Sequence, residues 1–236
     1  MAREVLRTKT FASDAANFIQ TRARESIDER HQFRIALSGG NTPRSVYAEM
    51  AKRDLPWKKF LFTFGDERCV PPENDESNFR MANEALFRPA SVPDSSILRM
   101  RGEIEPVLAA KEYEAQLDVL AVKRGEIIYE HDLILLGLGD DGHTASLFPG
   151  TEALSETERR VIANYVPKFN SWRLTFTLPL INQARHVCFL VNATKHAELI
   201  ERVLKGDPEL PASRVNPNAG DLTWIIGQGD QDRTQG

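Results

Sequence analysis

Five short runs of nearly unbroken apolar residues constrain the fold more than any other feature of this chain. They are RIALS (34–38), FLFTF (60–64), DLILLGL (132–138), VCFLVNA (187–193) and LTWII (222–226). A strand with one face in water alternates apolar and polar residues, whereas one covered on both faces is apolar throughout. Segments of helical pattern lie between the runs. DAANFIQTRARESIDER (14–30) carries an apolar stripe at Ala15, Phe18, Ile19 and Ala23, with Ser13 or Asp14 as the expected N-cap. TPRSVYAEMAKRD (42–54) starts with Pro43 in the first turn, where a missing N–H costs nothing. SNFRMANEALF (77–87), EPVLAAKEYEAQLDVLAVKR (105–124) and TKHAELIERVLKG (194–206) read as further helices, the last closed by Gly206. The alternation predicts an α/β fold: a mostly parallel sheet with helices on both faces and right-handed crossovers.

Two spans depart from this alternation. PPENDESN (71–78) is a polar loop. The span 150–186 reads as a helical piece near 151–163, followed by LTFTLPLIN (174–182), which alternates like a partly exposed strand. No repeat or linker divides the chain, so a single α/β domain over 1–227 and a polar tail over 228–236 are expected.

Net charge is −4 over 236 residues, so a nucleic-acid partner has no whole-chain electrostatic support. An anionic substrate must instead meet a local cluster of Lys and Arg. Cys69 and Cys188 match no zinc or redox spacing and read as reduced thiols. The N-terminal stretch has no apolar signal-like core, and no segment approaches the about 18 apolar residues of a membrane span. A cytoplasmic protein with no membrane partner is the expectation.

Ligands of open α/β sheets sit beyond the carboxyl ends of strands, which singles out three segments. In IALSGGNTPRSVY (35–47), Ser38, Gly39, Gly40 and Thr42 form either a phosphate cradle at a helix start or a plain strand-to-helix turn. In FGDERCVPPENDESN (64–78), Asp66, Glu67 and Arg68 are either a solvated rim or a site. In the second case Arg68 grips phosphate and Asp66 orients water, a hydroxyl or a neighbour. In GLGDDGHTASLFPG (137–150), the glycines permit a sharp turn and close approach of a ligand. Asp141 is placed to cap a helix begun by HTASLF, and such a helix start favours the neutral imidazole that a general base at His143 requires. Asp140, Asp141 and His143 lack the further ligands of a metal site. Lys168 and Arg173 bracket a short loop and are either exposed cations or contributors to an anion site. A serine-hydrolase elbow and a dinucleotide fingerprint are both absent from the sequence.

These same segments resemble the 6-phosphogluconolactonases, within the glucosamine-6-phosphate isomerase/6-phosphogluconolactonase family. SGGNTP (38–43), GDERCVPPENDESN (65–78), LGLGDDGHTASLFPG (136–150), VPK (166–168), RLTFTLPLIN (173–182) and PAS…GDLTWIIG (211–227) occur in the family's order. The resemblance implies the fold shared with glucosamine-6-phosphate deaminase and the ribose-5-phosphate isomerase group. It implies hydrolysis of 6-phospho-D-glucono-1,5-lactone to 6-phosphogluconate. A lactone is an activated ester, so no cofactor or metal is expected; the phosphosugar lactone is the expected partner, and a monomer or weak homodimer the expected state. Carried over, His143 becomes the general base, and Arg68 and Lys168 become phosphate-side ligands. Asp66 and Arg173 match family positions of less definite role. Phe169 and Asn170 stand where the family often has prolines. The alternatives are a deaminase or isomerase on the same fold and a non-catalytic phosphosugar sensor. The deaminase resemblance places a Glu five residues after the histidine, where this chain has Phe148. The sensor needs an output module, and no such segment is visible.

Overall fold

The computed structural model describes residues 3–228, apart from the side chains at 194–196. The polar tail predicted from residue 228 lies almost wholly outside the described residues. Among the described residues, nine strands and six α-helices follow in chain order: β1 (Arg3–Thr8), α1 (Phe11–Arg30), β2 (Phe33–Leu37), α2 (Asn41–Met50), β3 (Phe60–Phe64), β4 (Asp66–Arg68), α3 (Asn78–Ala82), α4 (Pro106–Val122), β5 (Leu133–Leu136), β6 (Val161–Val166), β7 (Ser171–Phe176), α5 (Leu178–Asn182), β8 (His186–Asn192), α6 (Ala193–Leu204) and β9 (Asp221–Gly227). A turn of π-helix over Asn83–Phe87 prolongs α3.

Six strands form one parallel sheet in the order β1-β9-β8-β5-β2-β3. All five apolar runs lie in it, and side-chain alternation sends their residues to two separate cores. Phe33, Ile35 and Leu37 of β2 pack with Leu133 and Leu135 of β5, Leu190 of β8 and the α1–α2 side. Ala36, Ile134, Leu136, Phe189 and Trp224 pack on the α4 side. Trp224 stacks on Phe189 at 3.9 Å and 5°. Two-sided burial therefore follows directly from the unbroken apolar runs. No helix among the described residues is long and apolar enough to cross a membrane.

Chain order reverses at β2, which pairs with β3 on one side and β5 on the other. A crevice opens outside the carboxyl ends of strands at such a reversal. Above it lies a second, antiparallel sheet in the order β4-β7-β6. Gly65 links the two sheets: its N–H donates to Leu37 O at 2.9 Å and its carbonyl accepts from Phe176 N at 2.8 Å.

Several local expectations are corrected. α1 starts at Phe11, and Asp14 accepts Thr10 Oγ1 from inside the first turn rather than capping it. The helical piece near 151–163 is a 3-10 turn at Glu152–Leu154 followed by β6, where Val161, Ile162 and Val166 suit a strand. LTFTLPLIN is strand only to Phe176, after which Pro179 sits in the first turn of α5. β1 was not legible as a strand, because its row REVLRT is polar and largely exposed at a sheet edge.

Two histidines outside the crevice are buried. His131 Nε2 lies 2.9 Å from Thr63 Oγ1, and His186 Nε2 lies 2.9 Å from Thr223 Oγ1. Burial pushes His131 down to about 3 and His186 down to about 4, against roughly 6.5 in an unfolded chain. Because the folded values are the lower ones, this contribution is intact above the unfolded value and is lost as pH falls through it toward 4. With nearly two extra protons on the unfolded chain, stability should drop by roughly 2 kcal/mol per pH unit between pH 6 and 5. Urea denaturation at pH 7, 6 and 5 measures this; a flat profile would contradict it.

Candidate active site

The crevice holds a cavity of about 450 Å3, walled by Ser38, Gly39 and Gly40 after β2, Asp66 and Arg68 of β4, residues 137–139 and 143–146 after β5, Glu76, Phe148, Phe169 and Arg173. Most of the residues singled out by sequence therefore meet in one place, drawn from four separate stretches of chain. Thr42, Asp141 and Lys168 do not line it. Thr42 lies in an adjoining depression of about 400 Å3 that shares Gly39, Gly40, Gly137 and Leu138 with the cavity.

The segment 137–150 forms no helix, so the expected helix start at His143 and the capping role of Asp141 both fall away. Ala145 adopts φ 47°, outside the helical region, and Thr144 bridges Leu147. The local backbone is satisfied otherwise. Gly139 N donates to His143 O at 2.9 Å, Thr144 Oγ1 to Gly137 O at 2.8 Å, and Ser146 N to Thr175 Oγ1 at 3.1 Å.

Three contacts hold the His143 ring. Its Nδ1 lies 2.5 Å from Asp141 Oδ1. One face stacks on Phe148, with centroids 4.0 Å apart and planes at 26°. Gly139 closes in as well, so tightly that a Cβ there would lie 1.9 Å from His143 Cε1 and 2.1 Å from Nδ1. Lys168 Nζ donates to the second oxygen of Asp141 at 2.8 Å, so Lys168 acts on the dyad's carboxylate from the rim. Burial opposes the Asp141 charge, but hydrogen bonds from Lys168 and His143 outweigh it and bring the carboxyl down to about 2. With Nδ1–H donated to an ionised Asp141, a neutral ring carries its lone pair on Nε2.

Opposite this dyad, Arg68 and Arg173 face each other in the β4–β7 register. Arg68 Nη1 donates to Glu76 O at 2.6 Å, and Arg173 Nη1 to Ser171 Oγ at 3.3 Å. Neither forms an ion pair among the described residues. Burial first, and then the Arg68 charge, pull Arg173 below its ordinary value. Like charges directly opposite in a ladder are unfavourable unless an anion lies between them.

Asp66 is buried with a donor on each carboxylate oxygen: Asn78 Nδ2 at 3.2 Å on Oδ1 and Ser146 Oγ at 2.7 Å on Oδ2. Ser38 is clamped by Tyr47, whose hydroxyl accepts Ser38 N and donates to Ser38 O, both at 2.9 Å. The Ser38 hydroxyl has no partner among the described residues. Sequence reasoning gave no site role to Ser146, Phe169 or Glu76, and no spacing rule would have found them. Asn78 entered only as part of a resembling segment. No group of three or more His, Cys, Asp or Glu among the described residues is disposed to hold a metal.

Residues 7–224 match the model of the glucosamine-6-phosphate isomerases/6-phosphogluconolactonase family. The chain belongs to this family. A 6-phosphogluconolactonase of Synechocystis sp. is 41% identical over 214 residues, covering 89% of this chain and 88% of that protein. One of Haemophilus influenzae is 34% identical, covering 83% and 85%. Among solved structures, a 6-phosphogluconolactonase of Thermotoga maritima superposes with TM-score 0.84 at 27% identity, covering 96% of this chain and 100% of that one. The mostly parallel α/β fold expected from the sequence is thus the fold of the family.

Gly139→Ala would put a methyl group where the His143 ring now lies and should lower kcat by about 100-fold, the scale on which an ångström of misplacement in a site costs rate. Circular dichroism should be unchanged. A variant as active as the parent would show that the Gly139 contact is not required.

Proposed function

We infer that this chain hydrolyses 6-phospho-D-glucono-1,5-lactone to 6-phospho-D-gluconate, with His143 as general base. The observation that carries the reading is the pairing, in one cavity, of an Asp141-oriented imidazole with two guanidiniums that have no ion-pair partner among the described residues. A phosphorylated lactone presents the complementary groups: a dianion at one end and an activated ester at the other.

In the reaction, His143 Nε2 takes a proton from water as the water oxygen bonds to C1. The tetrahedral intermediate then breaks its bond from C1 to the ring oxygen, which receives the proton from His143. Asp141 stabilises the transient imidazolium and fixes its orientation, as in other carboxylate-histidine pairs. Arg68 and Arg173 bind the phosphate, and this remote binding supplies orientation at C1. Gly39 and Gly40 bring bare main chain to the cavity wall, where backbone N–H groups can meet developing negative charge. Asp66, held by Asn78 and Ser146, keeps lone pairs for a substrate hydroxyl. Lys168 serves the Asp141 carboxylate. The family's relatives named 6-phosphogluconolactonase support the substrate class. Phe148 stacks on the base and supplies no proton relay, which speaks against amine chemistry.

The lactone can be generated from glucose 6-phosphate by its dehydrogenase and the product followed with a coupled dehydrogenase, above the spontaneous background. His143→Ala should lower kcat by about 100- to 10,000-fold and leave 6-phosphogluconate affinity within about twofold. Retained turnover would refute the base assignment. Arg68→Ala should raise KM by about 10- to 100-fold, the worth of a lost charge-assisted hydrogen bond. An unchanged KM would remove Arg68 from the phosphate site.

A further inference from the structure

We propose that Glu67 is a positioning residue: its buried carboxylate clasps the loop after β4 and thereby sets Arg68 and Asp66 in the cavity. The proposal rests on the phosphosugar reading above. Glu67 is 2% exposed and stands between the two cavity residues of β4. Strand alternation sends its side chain to the opposite face from theirs. There it accepts four hydrogen bonds: Arg68 N at 2.8 Å and Asn78 N at 2.7 Å on Oε1, and Phe79 N at 2.8 Å and Ser77 Oγ at 3.1 Å on Oε2. Three of the donors come from 77–79, so the carboxylate closes the polar loop 69–76 on itself.

The residues drawn in by this clasp hold the site. Glu76 O receives Arg68 Nη1 at 2.6 Å, and Asn78 Nδ2 donates to Asp66 O at 2.8 Å as well as to its carboxylate. The Asn78 amide also abuts Gly39, where a Cβ would lie 1.9 Å from Asn78 Oδ1. One carboxylate thus ties together the phosphate-binding guanidinium, the buried aspartate and the glycine turn after β2. A simple helix cap does not account for it, since α3 already has one: Ser77 Oγ accepts Arg80 N at 3.1 Å. Burying a carboxylate is costly unless every lone pair finds a donor. Burial does push the Glu67 carboxyl above its usual range, with the Phe79, Asn78 and Arg68 N–H groups pulling it back.

Glu67→Gln keeps the volume but cannot accept on both edges, leaving Phe79 N–H without its acceptor. The expected result is a KM for the lactone raised about tenfold with kcat within threefold, because the His143 dyad stands on a different loop. 6-Phosphogluconate affinity measured by calorimetry should fall in parallel. Glu105→Ala, which removes the side-chain cap on Val107 N and Leu108 N at the start of α4 and lies outside the clasp, should lower the Tm while leaving KM within twofold. A purely structural role would reduce kcat through loss of active molecules and leave KM and product affinity alone; that result overturns the proposal. If Glu67→Gln does not fold, Asn78→Ala cuts the branch to Asp66 and Gly39 and keeps the backbone bonds. An unchanged KM and product affinity there overturns it equally. Should the wild type bind 6-phosphogluconate without hydrolysing the lactone, the lactonase reading fails. The Glu67 proposal is then judged on the calorimetry alone.

Discussion

Parallel pairing of β2 with β5, through Ile35 with Leu133 and Ala36 with Ile134, places two glycine-rich exits side by side. Both strands end at the same edge of the sheet because they run in the same direction, and the reversal of chain order at β2 opens the space between them. Gly39–Gly40 leaves one strand and Gly137–Gly139 the other. Loss of this pairing would leave the turn bearing His143 and the turn bearing Ser38 without a common wall. The apolar faces of the same strands build the two cores, so the element that stabilises the molecule also fixes the floor of its cavity.

The second sheet supplies charge. β4 and β7 present Arg68 opposite Arg173, a facing of like charges that is unfavourable unless an anion lies between them. The dyad takes the opposite approach: Asp141 is shared between Lys168 and His143, so its negative charge is neutralised on one side and used on the other. The facing guanidiniums and the imidazole therefore sit on separate supports. β4 and β7 carry the first, and the turn after β5 carries the second. Phe169 bridges them, lying edge-on to Phe148 at 5.6 Å and under the Arg173 guanidinium at 5.7 Å.

Glycine at position 139 shows why sequence motifs alone understate such a site. The residue reads as a flexible point in a turn, yet its main requirement is that nothing project where the imidazole lies. Phe148 is buried, and it is also one wall of the space that holds the His143 ring. The helix expected at HTASLF fails because Ala145 turns out of the helical region and the local donors find other partners: Gly139 N in His143 O, the Thr144 hydroxyl in Gly137 O, and Ser146 N in Thr175 Oγ1.

By itself the sequence determined the doubly covered parallel sheet, because unbroken apolar runs are stable only when both faces are buried. It also marked the chemistry-bearing segments, since glycines, a histidine and clustered charges at strand ends are local properties of the chain. Tertiary structure alone decided which of them meet. The Asp141–Lys168 pair, the facing of Arg68 with Arg173, and the hold of Asn78 and Ser146 on Asp66 join residues from 12 to 105 positions apart. Such pairings depend on how two sheets stack and on strand register. No short window of sequence encodes either, because the energy that fixes them is spread over the packing of the whole sheet.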